Sequence, residues 1–229
     1  MRKIQRLASV GAMAAVTVAL AACGTSASPS STTATSVPAA ASAAPATSAA
    51  ASASNGVTTN ADVFGPACNM LPQGNAPGSL DAMGPQPVAT AASTNPLLTT
   101  LVTAVKAVPG LPDTLNSTQG LTVFAPYNGA FDAVQKQIGA SAFQGLLKNP
   151  TALGGLLSYH VIGKRYDAAG LVAAGTTTEL AGGTVTIGGT ADAPTITDGQ
   201  GNTAKVLCGN IPTSNATVFV IDRVLMPKS

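Results

Sequence analysis

From Gly24 to Asn55 the chain runs for 32 residues, of which 29 are Ala, Ser, Thr or Pro. The stretch has no charge and one large apolar side chain, Val37. Such a segment cannot bury enough apolar surface to offset the entropy of ordering it. It is expected to be a disordered tether, with Pro29, Pro38 and Pro45 interrupting any helix its alanines favour. As a coil it spans about 30 Å, and fully extended about 100 Å. Folding is thereby confined to the remainder. Residues 60–229 are one domain's worth of chain at roughly 100–200 residues per domain.

Residues 1–22 read as an export signal. Met1-Arg2-Lys3-Ile4-Gln5-Arg6 is basic, and residues 7–19 form an almost uninterrupted apolar run. That run is short of the roughly 20 residues a membrane span needs. It ends in Leu20-Ala21-Ala22-Cys23, which resembles the bacterial lipobox. On that reading the Cys23 thiol takes a diacylglyceryl group, and the freed amine is acylated after cleavage. More than one acyl chain gives stable membrane attachment. The division expected is leader 1–22, lipidated cysteine and tether 23–59, and domain 60–229. The chain has three cysteines, an awkward number for an exported protein. With Cys23 lipidated, Cys68 and Cys208 remain. An oxidising exterior favours a disulfide between them, the alternative being two separate buried thiols.

The formal charge of +2 misleads, because Arg2, Lys3 and Arg6 lie in the leader. From Asn60 onward eight Lys and Arg face nine Asp and Glu. No basic stripe is available to replace the counterions of a nucleic acid, so none is expected as a partner. Aromatics make up 3% and Trp is absent, which argues against a platform of stacked rings. His160 is the sole histidine, which excludes a multi-histidine metal site. The sequence has no Gly-x-Ser-x-Gly, Cys-x-x-Cys, phosphate-binding loop or Gly-x-Gly-x-x-Gly. No enzyme activity, cofactor or metal is expected.

Asn95-Pro96 opens a helix, with Leu97, Leu98, Leu101, Val102, Val105 and Val108 at helical spacing and Pro109-Gly110 as its stop. Residues 121–125 read as a strand closed by Pro126. Asn128 is expected to cap a short helix through Phe131. Further helical segments are expected over 133–138 and 141–148, and Asn149-Pro150 opens another with Leu153, Leu156 and Leu157 inward. Short β-rich runs follow at 184–187, 195–197, 204–208 and 217–225, punctuated by Gly182-Gly183, Gly188-Gly189 and Asp198-Gly199. The sum is α+β, helices first and mostly antiparallel strands later.

The run Leu121-Thr122-Val123-Phe124-Ala125-Pro126-Tyr127-Asn128-Gly129-Ala130-Phe131 resembles the first signature of fasciclin-like domains. Val220-Ile221-Asp222-Arg223-Val224-Leu225-Met226-Pro227 resembles the second, and Tyr159-His160 stands where that family carries a Tyr-His pair. Within the family the chain resembles the single-domain immunogens and surface lipoproteins of mycobacteria. Tyr127, where Thr is usual, and Gly129, where Glu or Ala is common, depart from the pattern and are expected to loosen the following helix. The resemblance implies helices packed on a wedge of two β-sheets. It also implies adhesion and host-immune recognition without catalysis, and it links Tyr159-His160 to receptor binding.

The alternative for Tyr159 and His160 is structural, filling the core at a helix end. Asp222 shares strand parity with Val218, Val220 and Val224, and a carboxylate on an apolar face needs partners. Thr122 and His160 are expected to supply them in a fold-locking network. The sequons Asn116-Ser117-Thr118 and Asn215-Ala216-Thr217 read as turn chemistry. The expected whole is a monomeric surface protein, held to the membrane by its lipid and displaying the domain to a host receptor, matrix or envelope component. One alternative is a carrier or sensor with a large, dry pocket for a small apolar ligand. A second is an esterase-like enzyme built around His160.

Overall fold

The computed structural model describes residues 55–228. The leader, Cys23 and the tether as far as residue 54 lie outside the described residues. Among the described residues, four α-helices precede the first strand: α1 (Leu80–Met83), α2 (Val88–Thr94), α3 (Thr99–Lys106) and α4 (Leu111–Ser117). After β1 (Leu121–Pro126) come α5 (Asn128–Ile138), α6 (Ala140–Leu147) and α7 (Pro150–Ser158). The remaining elements are β2 (Val161–Ile162), α8 (Ala168–Ala174), β3 (Thr176–Thr178), β4 (Thr184–Thr190), β5 (Ala193–Thr197), β6 (Thr203–Pro212) and β7 (Ala216–Ile221).

Both Asn-Pro starts act as read. The Asn95 side chain accepts from the Leu97 N–H, opening a 3₁₀ turn that leads into α3. Asn149 accepts from the Ala152 N–H at the head of α7. The segment after β1 differs from expectation. α5 runs unbroken to Ile138, because nothing between Phe131 and Gln137 stops a helix, and Gly139 at φ +86° ends it. Asn128 does not cap α5. Its side-chain oxygen accepts from the Thr100 N–H at 3.0 Å and the Thr99 hydroxyl at 3.1 Å, so it caps α3 from outside. The two sequon asparagines behave alike. Asn215 accepts from the Val88 N–H at 2.9 Å, and Asn116 from the Ala89 N–H at 3.0 Å and the Thr90 N–H at 3.3 Å. These groups complete the start of α2, which has no cap of its own. The local-turn reading of the sequons is therefore replaced by long-range capping.

The seven strands lie in the order β2-β1-β7-β6-β5-β4-β3. The two signature runs pair in parallel, in register from Leu121↔Ala216 to Pro126↔Ile221. The other neighbours are antiparallel. β6 is the bend, meeting β5 through residues 203–205 and β7 through 206–212, with register shifts on either side of Cys208. The far edges then meet, because Ile162 bridges Glu179 just past β3 and the Leu180 N–H donates to the Val161 carbonyl at 2.8 Å. The expected two-sheet wedge is thus one sheet folded at β6 until its edges touch.

The fold gives β1 and β7 a core on each face. Val123 and Val218 join Leu98, Leu101, Phe131 and Leu157 under the helices. Phe124 and Phe219 join Ile196, Ile221, Tyr159 and Leu171 inside the folded sheet. All six residues of each strand are buried, hence their continuous apolar runs.

Cys68 and Cys208 form the disulfide, with Cα atoms 5.0 Å apart across a sequence separation of 140. It fastens the 3₁₀ turn Cys68–Met70 to the bend in β6. Replacing both cysteines by Ala is expected to cost about 2–5 kcal/mol in denaturant unfolding. An unchanged midpoint would show that the crosslink adds nothing to the packing around it.

Candidate functional site

His160 ends the turn after α7 and is 3% exposed. Its Nδ1 lies 2.8 Å from the Leu156 carbonyl, so Nδ1 carries the proton. Nε2 then accepts from the Leu225 N–H at 2.8 Å. Burial holds the ring neutral, lowering its pKa from 6.5 to about 4. Both nitrogens bond backbone groups, and neither bonds a Ser or Thr hydroxyl. His160 is therefore not placed as the base the esterase-like alternative requires.

Tyr159 is 1% exposed, its hydroxyl donating to the Thr184 carbonyl at 2.9 Å and accepting from the Gly199 N–H at 2.8 Å. Burial raises its pKa above the ordinary value, and Glu179 and Asp198 add to the effect. The Tyr-His pair joins α7 to β4, to the turn after β5 and to the C-terminal signature. It presents no surface to a receptor.

The expected contact among Thr122, His160 and Asp222 is absent. Thr122 lies on β1, donating to the Lys164 carbonyl at 2.7 Å and accepting from the Tyr166 N–H at 2.8 Å. Asp222 accepts from the Lys205 N–H at 2.8 Å. Each of the three side chains pairs with backbone groups and with neither of the others. The parity argument fails because β7 is buried on both faces and ends at Ile221. Asp222 lies past it, only half-buried.

Asp198, read in the sequence only as part of a turn, shares the task of His160. Its carboxylate accepts from the N–H groups of Gln200 (3.0 Å), Asn202 (2.8 Å) and Met226 (2.9 Å), and from the Asn202 amide at 3.2 Å. Consecutive backbone donors, Leu225 and Met226, are thus held by two buried side chains from separate parts of the chain. Arg165 also escaped notice. It donates to the Thr217 hydroxyl and to the Thr213 and Ala216 carbonyls, and that hydroxyl donates to the Gly56 carbonyl at 2.7 Å.

Glu179 is the unexpected titratable group. It is 3% exposed, and neither carboxylate oxygen has a hydrogen-bond partner among the described residues. It lies at the seam where the folded sheet closes. Burial raises its pKa from 4.5 to about 7. In the structure Glu179 falls on the same buried side as Thr177, while the flanking Thr176 and Thr178 are exposed; the uniform Thr run gives no sign of this.

The apolar cavity expected of a carrier is small. Ala89, Ala92, Leu101, Val105, Val123 and His160 line an apolar cleft of ≈ 70 Å³. Ligand pockets usually measure about 300–1,000 Å³.

Comparison with known proteins places these features. The Fasciclin domain profile matches residues 96–227, spanning both signature strands and the Tyr-His pair. The chain belongs to the fasciclin family. The immunogenic protein MPB70 of Mycobacterium bovis is 41% identical over 177 residues, covering 72% of this chain and 83% of that protein. The cell surface glycolipoprotein MPB83 of the same species is 40% identical over 173 residues, covering 73% of each chain. Among solved structures, the fasciclin domain pair of the insect cell adhesion molecule Fasciclin I superposes with a TM-score of 0.53 at 18% identity. That match covers 62% of this chain and 51% of the other, so this chain spans about half of the pair. In the fasciclin fold seen here, the family's Tyr-His pair is a brace between α7 and the C-terminal signature.

The two perturbed groups oppose each other in pH. A neutral buried His160 adds stability above pH 6.5 that is lost as pH falls towards about 4. A protonated buried Glu179 adds stability below pH 4.5 that is lost as pH rises through about 7. Their proton uptakes cancel over the shared window. Melting temperature is expected to vary little between pH 4.5 and 6.5. In Glu179→Gln it is expected to climb across that window, the histidine being left alone. A Glu179→Gln profile parallel to the parent's would disprove the buried-acid assignment. For Asp222→Ala, the loss of one partly exposed bond is expected to cost about 0.5–1.5 kcal/mol by urea titration. A much larger loss would restore the buried network.

Proposed function

We propose that the chain is exported, acylated at Cys23, and displays its fasciclin domain outside the membrane for adhesion or for contact with a host receptor, matrix or envelope component. The observation that carries this reading is a conjunction. Leu20-Ala21-Ala22-Cys23 follows a basic and then apolar leader, in a chain 40% identical over 173 residues to a cell surface glycolipoprotein. Kinship with the immunogenic protein MPB70 and the fold shared with an adhesion molecule support an extracellular or envelope location. The disulfide is consistent with an oxidising compartment.

The lipid and the long uncharged segment have complementary parts in this reading. Acyl chains supply attachment, and the tether supplies reach of up to about 100 Å. In this reading His160 serves the fold, since it is buried and held between two backbone groups. Partner binding then falls to the exposed surface of the domain.

Partitioning in a phase-separating detergent tests the anchor. The parent protein is expected in the detergent phase and Cys23→Ser in the aqueous phase, with an acylated Cys23 at the mature N-terminus by mass spectrometry. An unmodified Cys23, or cleavage at another bond, would remove lipid anchoring from the reading.

A further inference from the structure

A recess on the described surface lies away from the Tyr-His pair. It measures ≈ 460 Å³ and runs between α5, the turn after β5 and the C-terminal signature. Its volume falls within the usual range for ligand sites, and polar and apolar groups share its lining. Val134, Ile138 and Met226 form the apolar part, while Gln137, Asp222 and Arg223 lie among the polar groups.

Tyr127 and Gly129, the departures from the family pattern, both line this recess, and they are coupled. A Cβ at position 129 would overlap the Tyr127 ring. The ring therefore lies over a bare backbone, and the glycine is the reason it fits. The helix after it is not loosened, since α5 is the longest helix among the described residues.

Several polar groups of the recess have unused bonding capacity. Among the described residues, no hydrogen bond is made by the Tyr127 hydroxyl, the Gln137 amide, the Arg223 guanidinium or the second carboxylate oxygen of Asp222. One acid and one base balance in charge, which does not select an ion. The set offers a flat ring with a polar tip and planar donors and acceptors, a combination suited to alternating C–H faces and hydroxyls. The low aromatic content argues against a platform of several rings, but one fixed ring beside planar amides and an acid–base pair does not need more.

We infer that this recess, floored by Tyr127 on Gly129, binds a neutral oligosaccharide segment such as a stretch of envelope polysaccharide. The inference rests on the reading of the domain as a surface-displayed interaction module and supplies the chemistry of its partner. A peptide is less suited, because the recess is walled by a helix and turns and offers no free strand edge to pair with.

Calorimetric titration of the full chain in detergent micelles tests this. The probes are neutral hexasaccharides of glucose, mannose, galactose and arabinose, with a sulfated hexasaccharide as the charged control. At least one neutral sugar is expected to bind, and Tyr127→Ala to weaken it by about tenfold, equivalent to about 1.4 kcal/mol. Gly129→Ala keeps the ring but displaces it. It is expected to weaken binding while leaving the melting temperature unchanged or raised, since Ala favours helix over Gly. Binding by no neutral sugar, or only by the sulfated one, would overturn the inference. So would equal affinity in Gly129→Ala and parent, whatever the folding of Tyr127→Ala. Those results leave surface display standing, because the Cys23 experiment decides it separately. A protein captured from the envelope equally well by parent and both variants would overturn the recess as the contact.

Discussion

The parallel pairing of β1 with β7 is the constraint around which the domain is arranged. Parallel neighbours cannot be joined by a tight turn, so a long connection must leave one strand and return beside it. Here the connection is everything from Tyr127 to Asn215, helices and strands alike. Both faces of the pair are covered, so polar side chains within it must be satisfied internally. Thr122 and Thr217 are register partners, both 0% exposed, and each uses its hydroxyl to hold a neighbouring segment. Thr122 fastens residues 164–166, while Thr217 takes Arg165 on one side and Gly56 on the other. Two small hydroxyls thus fix where the long connection passes and where the chain enters the domain.

Closure at the other end relies on a different device. The C-terminal signature leaves its strand at Ile221, and its backbone donors at buried Leu225 and half-buried Met226 need partners. His160 and Asp198 take one each. A buried histidine is usually examined as a catalyst. Here its sole accepting nitrogen meets an amide, and burial keeps it neutral in that role.

Much of this was legible in the sequence where the signal was local. Asn95-Pro96 and Asn149-Pro150 gave true helix starts because their caps act within the same turn. The signature strands were legible because each is apolar on both faces. Asn116, Asn128 and Asn215 misled because their partners are remote, and residue type alone does not say which helix an asparagine caps. The short α1, α2, α4 and α8 escaped notice, as their few residues carry little periodicity. Asp167 before α8 was nonetheless a readable cap, accepting from the Gly170 N–H at 2.7 Å. Asp222 was misplaced by extending β7 beyond Ile221. Glu179 was missed because composition gives no warning that an acid will be buried without a partner.

The remote asparagines have a consequence for how the domain comes together. Helices α2 and α3 are short, below the length at which isolated helices persist in water. The start of α2 is completed by Asn116 and by Asn215, which directly precedes β7, and that of α3 by Asn128, just past β1. Part of the start of α2 therefore waits for the segment leading into β7, and the sheet lacks one of its faces before the helices. With β1 also pairing with β7 across the whole connection, the domain is rich in non-local contacts, a topology that folds slowly. Under the proposed export, slow folding of this topology leaves the chain longer in an unfolded state in which it can be moved across a membrane.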